Sequence, residues 1–276
     1  MIDLSLIGIG TGNPDHVTFQ GAQAIRSADL ILIPRKGENK ADLAGLREDI
    51  IDRVTETPPR IAYFDIPKRR ADDGYLRGVD EWHDAIALRW QEAIAAHPEA
   101  QHIALLIWGD PSLYDSSLRI AARLDPKPNT KVIPGITALQ ALTAAHAIPI
   151  NELGAPYVVT TGRRIRDDGW PEAASKVAVM LDGECSFQSL RMAEYDIWWG
   201  AYVGMKEELL ISGPLDQVAQ RILDTRARAR ADHGWIMDIY LLKKRGGAAA
   251  RGEHGFVTAQ NPQVWHTGQS KIPETR

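Results

Sequence analysis

Three short glycine-centred turns, each following a run of apolar residues, constrain the fold of this chain more than any other feature. They span residues 8–12 (Gly-Ile-Gly-Thr-Gly), 108–111 (Trp-Gly-Asp-Pro) and 133–137 (Ile-Pro-Gly-Ile-Thr). In an open parallel sheet the carboxyl ends of neighbouring strands share one edge, so turns far apart in sequence can line a single ligand crevice. We therefore expect the functional site at this edge.

The first half of the chain alternates between strand and helix patterns. Strands are predicted at 4–9, 28–33, 102–107 and 131–133, and helices at 17–27, 42–54, 75–96, 112–124 and 137–146, with a further short apolar run at 61–64. Parallel strands joined by helical crossovers explain this order. We assign 1–147 to an N-terminal α/β domain.

The second half predicts a smaller mixed α/β domain over 148–245. Its strand candidates are 157–161, 177–181, 201–203, 208–212 and 236–242. From Gly246 the apolar periodicity is lost, and 246–276 is predicted to be a poorly structured tail. The predicted fold class is α/β, with two domains whose largely parallel or mixed sheets are flanked by helices.

Composition excludes several classes of protein. The net charge of −4 lacks the basic excess of a general nucleic-acid binder, and no apolar stretch is long enough to cross a bilayer. The lone Cys185 excludes an internal disulfide and a cysteine-clustered zinc site, and the eight histidines lack metal-binding spacing, so no metal is predicted. The N-terminal residues lack a secretory signal pattern, so we expect a cytoplasmic protein with a small-molecule ligand.

The first glycine turn does not match a nicotinamide site. Asn13 stands where the G-x-G-x-x-G fingerprint has its third glycine, and Asp29 precedes its strand instead of ending it. Taken alone, the first turn is equally consistent with a tight connection and with close backbone approach to a ligand. Asp110-Pro111 favours an ordinary helix start over a ligand contact, and the third turn allows the same two interpretations.

Arginines cluster at the end of one predicted strand, at Arg163, Arg164 and Arg166. They fit a solvated loop, or a site for carboxylates, which match the planar guanidinium in pairs. Further cations that could complete a cationic rim are Arg35, Lys36, Lys68, Arg69 and Arg70. Arg226, Arg228 and Arg230 are interpreted as a solvated helix face.

Taken in order and spacing, the three turns resemble those of the tetrapyrrole (corrin/porphyrin) methylase superfamily over residues 2–245. Segments that narrow the resemblance are 10–16, 108–116, 160–164, 179–183 and 199–202. The resemblance implies S-adenosylmethionine bound in the cleft between two α/β domains, S-adenosylhomocysteine as a product, and a homodimer. It further implies methylation of carbon 1 of precorrin-5 with release of acetate, giving precorrin-6A, in cobalamin biosynthesis.

The resemblance also implies site residues. It places the cofactor against Thr11, Gly109, Asp110, Leu113, Thr137, Ala138, Leu181 and Ala201. Asp110 and Tyr114 are the catalytic candidates, which would shape the cofactor and reaction face. Arg35, Lys36, Arg163 and Arg164 are the candidates for binding substrate carboxylates. Two residues depart from the family pattern, which affects the cofactor contacts that the resemblance implies. Thr11 replaces a proline common in the first turn, and Trp108 replaces the first glycine of Gly-Gly-Asp-Pro in the second.

Two other hypotheses remain open. The same fold also carries methylation of other precorrins, of ribosomal RNA and of a protein side chain, although the acidic net charge counts against RNA. A non-catalytic protein that keeps the crevice would bind the cofactor without turnover.

Overall fold

The computed structural model describes residues 2–35, 41–68, 75–172 and 174–246. Residues up to Arg245 form one compact unit that contains two five-stranded sheets. The predicted tail, 246–276, lies outside the described residues except for Gly246. No helix in the described ranges is long and apolar enough to cross a membrane.

The first sheet is wholly parallel. Its strands are β1 (Asp3–Gly8), β2 (Leu30–Arg35), β3 (Arg60–Asp65), β4 (His102–Ile107) and β5 (Asn129–Ile133), in the order β3-β2-β4-β1-β5. The helices among them are α1 (Phe19–Arg26), α2 (Ala41–Val54), α3 (Tyr75–Ala95) and α4 (Ser117–Ala121). Because helices cover both faces, β2 and β4 are almost continuously apolar.

The second sheet is mixed. Its strands are β6 (Tyr157–Thr161), β7 (Lys176–Met180), β8 (Tyr195–Ala201), β9 (Leu209–Pro214) and β10 (Asp238–Lys244), in the order β6-β7-β10-β8-β9. Only β6 and β7 pair in parallel. The accompanying helices are α5 (Ala138–Ala145), α6 (Gly162–Asp168) and α7 (Leu215–His233). The α/β fold predicted from the sequence is confirmed.

Helix α5 joins the two halves of the molecule. It follows the third glycine turn of the first sheet, yet Leu139 and Leu142 pack with Val203 and Leu241 of the second half. The predicted domain boundary at 147/148 falls just after this helix. Helix α5 therefore belongs to the first predicted domain in sequence, although it packs in the core of the second sheet. The division into domains at that point stays a prediction.

The short apolar run 61–64 lies in strand β3. Two local predictions were wrong. The predicted strand 201–203 is the end of β8 followed by a turn, because the alternating burial of Tyr195, Ile197 and Trp199 sets the strand earlier. The helix predicted at 112–124 forms only from Ser117, because Tyr114 adopts a left-handed backbone with φ of 52°.

The three glycine turns meet at the carboxyl edge of the first sheet. A Cβ atom on Gly8 would lie 2.6 Å from the Gly135 nitrogen and 2.7 Å from the Gly109 oxygen. A Cβ atom on Gly135 would likewise collide with the backbone of Gly8 and Gly109. Backbone in van der Waals contact from three turns leaves no space for a side chain.

We predict that Gly135→Ala lowers the free energy of unfolding by about 1–3 kcal/mol, because the new methyl group meets main chain that cannot move aside as a side chain does. Gly45→Ala is the matched control, since nothing lies within 4 Å of a Cβ atom there and the residue is inside α2. That substitution should stabilise by about 0.5–1 kcal/mol. Denaturant titration measures both, and an unchanged Gly135→Ala midpoint would refute the close contact.

Candidate active site

Backbone hydrogen bonds pin the first two turns together. Gly109 N donates to Gly10 O at 2.7 Å, and Gly10 N donates to Gly109 O at 3.4 Å. Both glycines have positive φ, 76° for Gly10 and 63° for Gly109, a conformation that favours glycine. The first and second turns therefore form one backbone surface.

The Asp110 carboxylate ties the second turn to the third. It accepts hydrogen bonds from Ser112 N at 2.8 Å, from Gly135 N at 2.9 Å and from the Ser112 hydroxyl. Burial acts to raise the pKa of Asp110, but these hydrogen bonds outweigh it and hold the pKa below its ordinary value. Asp110 is thus an ionised turn-fixing group and not the helix cap that its Asp-Pro sequence suggests.

A cavity of about 340 Å³ opens where the turns face the second sheet. Predicted site residues that line it are Thr11, Gly109, Asp110, Leu113, Tyr114, Thr137, Ala138 and Leu181. Ala201 does not line it; it is fully buried at the end of β8, directly before the lining residue Tyr202. Segments separated by more than a hundred residues therefore converge on one cavity, as the sequence predicted.

Three residues in the cavity wall have left-handed backbone. Tyr114, Leu181 and Tyr202 have φ values of 52°, 53° and 52° although none is glycine. Such residues store strain and are concentrated where a fold fixes the shape of a functional site. Tyr114 also bridges the two sheets, because its hydroxyl donates to Val159 O of β6 at 3.2 Å. Burial raises the pKa of Tyr114, so its hydroxyl stays protonated at neutral pH.

The interpretation of Arg226 as part of a solvated face was wrong. Its side chain is 12% exposed, lines the cavity, and pairs with Asp238, Nε to Oδ2, at 2.9 Å. Its Nη2 also donates to Asp182 O at 3.2 Å. Helical spacing could have shown that Arg226 lies on the buried face of α7, because it is four residues after the buried Ile222 and three before the buried Ala229.

Asp182 organises the wall of the cavity opposite the glycine turns. Its carboxylate accepts from Ser186 N at 2.6 Å, from Ser186 Oγ at 2.9 Å and from the Tyr240 hydroxyl at 2.6 Å. Burial and the neighbouring Asp182 charge raise the pKa of Tyr240 well above its ordinary value, so Tyr240 remains a hydrogen-bond donor. The sequence alone gives no sign of these hydrogen bonds, because the partners come together only when β7 and β10 pair.

Another buried cation supports Trp108. Arg47 of α2 is 7% exposed, donates from Nε to Leu106 O at 3.1 Å, and lies 5.0 Å from the centre of the Trp108 ring. Desolvation lowers the pKa of Arg47 to about 10, which still leaves it charged at neutral pH. Sequence reasoning missed Arg47, since a single arginine on an amphipathic helix ordinarily faces solvent.

Three of the predicted substrate-binding cations, Arg35, Arg163 and Arg164, do not line the cavity. Arg35 ends β2 with its guanidinium 3.5 Å above the Tyr63 ring. Arg163 and Arg164 are exposed and lie on α6, where the sequence had suggested a loop. Arg164 forms an ion pair with Asp168 at 2.7 Å. Lys36, together with Arg69 and Arg70 of the suggested rim, lies outside the described residues.

Comparison with known proteins fixes the family. The model of the Tetrapyrrole (Corrin/Porphyrin) Methylases matches residues 3–219, most of the chain. This chain is a tetrapyrrole methylase. A relative from Sinorhizobium sp, named precorrin-6A synthase [deacetylating], is 46% identical over 251 residues, which cover 88% of this chain and 96% of the relative.

Solved structures place the chain in the same tetrapyrrole methylase fold. A cobalamin synthesis related protein from Corynebacterium diphtheriae has a TM-score of 0.74 and 34% identity, covering 88% of this chain and 99% of that one. Uroporphyrin-III C-methyltransferase from Thermus thermophilus, solved with S-adenosylhomocysteine, has a TM-score of 0.53 and 17% identity. That match covers 87% of this chain and 97% of the other, and at this identity it shows the fold alone.

The position of Asp110 leads to a pH-dependent prediction. Because its folded pKa is depressed, its contribution to stability is complete above the unfolded value, about 3.9, and is lost as pH falls towards the folded value. Asp110→Asn should therefore destabilise by about 1–3 kcal/mol at pH 7, since an amide cannot accept from both turns as a carboxylate does.

The difference between Asp110→Asn and the wild type should shrink below pH 3.9, as measured by denaturant titration across pH. Asp52→Asn, at an exposed position on α2, serves as the control and should match the wild type throughout. A difference that stays constant with pH would contradict the role of the ionised Asp110 carboxylate.

Proposed function

We propose that this protein is an S-adenosylmethionine-dependent C-methyltransferase of cobalamin biosynthesis, which methylates carbon 1 of precorrin-5, releases acetate and yields precorrin-6A. The observation that carries the proposal is the convergence of the three turns on one cavity, in a tetrapyrrole methylase that is 46% identical along most of its length to a precorrin-6A synthase. S-adenosylmethionine supplies an electrophilic methyl group when bound.

The chemistry of the cavity fits that donor. Its walls combine apolar side chains such as Trp108 and Leu113 with hydroxyl and carboxylate groups at their margins. A ligand with an aromatic base, a hydroxylated sugar and a cationic sulfonium needs both kinds of surface. The Thermus enzyme, which has this fold, was solved with S-adenosylhomocysteine, and this supports cofactor binding by the same fold here.

We assign the cofactor to the lining residues named above, with the buried Ala201 directly preceding the lining residue Tyr202. Asp110 fixes the second and third turns against each other, and Tyr114 holds the reaction face to β6. Methyl transfer needs an in-line approach of a ring carbon, so holding both partners in position supplies much of the acceleration. These roles make Asp110 and Tyr114 positioning groups instead of proton-transfer groups.

The acidic macrocycle is the proposed acceptor. Arg163 and Arg164 follow β6, the strand that Tyr114 contacts, and Arg35 ends β2. With Lys36 they would meet the acetate and propionate groups of a precorrin. Each exposed ion pair contributes at most about 1 kcal/mol, so several together set orientation more than affinity.

We further propose a cytoplasmic homodimer whose partner is the tetrapyrrole substrate, without nucleic acid, membrane or a metal. The family resemblance supports the dimer, and the net charge of −4 supports a small-molecule partner over nucleic acid.

Incubation with precorrin-5 and S-adenosylmethionine tests the function. Mass analysis should find a methylated, deacetylated product, with one acetate released for each methyl group transferred. Ribosomal RNA offered under the same conditions should remain unmethylated. Methylation of RNA but not of precorrin-5, or cofactor binding without either product, would contradict the proposal.

A further inference from the structure

A threonine hydroxyl in the cavity wall is hydrogen-bonded to a histidine. Thr11 Oγ1 lies 2.9 Å from His16 Nδ1, and Thr11 lines the cavity while being only 8% exposed. Thr11 and His16 are five residues apart in sequence, and the chain between them turns through a short 3-10 helix, Pro14–His16, in which His16 N donates to Asn13 O at 2.9 Å. This turn brings the imidazole back to the threonine.

The surrounding backbone is shaped around the pair. A Cβ atom on Gly204 would lie 3.0 Å from Thr11 Oγ1 and would collide with the His16 ring. A Cβ atom on Gly10 would reach 2.5 Å from the His16 Cβ. His16 is half-buried, and its Nε2 makes no hydrogen bond to another residue in the part of the chain that the structure describes. The pair is thus held in place with its threonine end at the cavity.

We propose that Thr11 and His16 carry out the deacetylation step, with Thr11 Oγ1 contacting the attacking water and His16 Nδ1 receiving the proton. The inference rests on the proposed function, because it assigns the group that removes the acetyl substituent. A hydroxyl within hydrogen-bond distance of an imidazole is the arrangement that activates oxygen nucleophiles.

The carboxylates that line the cavity accept hydrogen bonds or pair within the fold. The Asp110 carboxylate accepts from Ser112 and Gly135, and Asp238 is paired with Arg226. Asp115 accepts from Ser117 N, and Asp182 accepts from Ser186 and Tyr240. Tyr114 is protonated at neutral pH, and a guanidinium has no acceptor atom. Thr11 with His16 is therefore the better placed base for water.

The step balances as a hydrolysis of a carbon–carbon bond. The water oxygen bonds to the acetyl carbonyl carbon while one water proton passes to Thr11 Oγ1 and the threonine proton passes to His16 Nδ1. The bond between the acetyl carbon and the macrocycle then breaks, its electron pair stays on the ring carbon, and acetic acid leaves and ionises. The imidazolium returns its proton to solvent, and the electron-rich ring carbon is the nucleophile that C-methylation requires.

Substitution of Thr11 by valine or serine tests the pair, because valine keeps the shape and removes the hydroxyl, whereas serine keeps the hydroxyl. In single-turnover reactions with precorrin-5 and S-adenosylmethionine, Thr11→Val should release acetate about 100-fold more slowly or worse. Thr11→Ser should stay within about tenfold of the wild type, a smaller loss than removing the proton-transfer group. The reactions are run at saturating S-adenosylmethionine, and calorimetric titration with S-adenosylhomocysteine gives the Kd of each variant, so that a change in cofactor binding is separated from the rate of acetate release.

A second variant tests the imidazole. His16→Ala should lose acetate release similarly, and added imidazole should restore part of it, which a packing defect would not allow. Thr55→Val is the control for threonine substitution, since the Thr55 hydroxyl donates to Ile51 O at the end of α2 and does not line the cavity. It should leave acetate release unchanged.

Acetate release by Thr11→Val at the wild-type rate would overturn the inference. Equal losses in Thr11→Val and Thr11→Ser, or a loss in Thr11→Val that disappears at saturating S-adenosylmethionine, would also overturn it, because Thr11 would then act only by packing or by holding the cofactor. Failure of the proposed function is distinguished by the wild type, which would then produce neither acetate nor methylated precorrin.

Discussion

Direct backbone contact between the three glycine turns is the constraint on which the site depends. Gly8 and Gly135 lie so close to each other and to the Gly109 oxygen that neither can carry a side chain, and the Asp110 carboxylate then joins Gly135 to the second turn. The turns are rigid because each is fixed by the other two. A cavity bounded by such turns keeps its shape without a ligand, which reduces the entropy lost on binding.

The opposite wall of the cavity is held by charge instead of by backbone contact. Arg226 pairs with Asp238, and Asp182 accepts from Tyr240 and from the loop at Ser186. Burying these charges is unfavourable unless each finds its partners, and here the polar partners are supplied by β10, α7 and the loop after β7. The same network fixes the loop whose Leu181 reaches the cavity, so the two walls meet in a defined geometry.

The sequence predicted the parallel first sheet and the converging turns because apolar runs followed by glycine are a local signal. It could not predict the Arg226 and Asp238 pair, which depends on where α7 lies against β10. The helix expected at 112–124 begins late for a similar reason, since the left-handed Tyr114 is held by a hydrogen bond to Val159 O, a partner 45 residues away. Most of the predicted cofactor residues line the cavity, whereas Arg35, Arg163 and Arg164 are placed by longer-range geometry and do not.

The central claim is that distant turns form one ligand site. A crystal structure of the protein with S-adenosylhomocysteine tests it most directly. The ligand should lie in the cavity, in contact with the turns that carry Thr11, Gly109 and Thr137 and with Leu181 from the second sheet. A ligand bound elsewhere, or in contact with only one of these turns, would contradict the account.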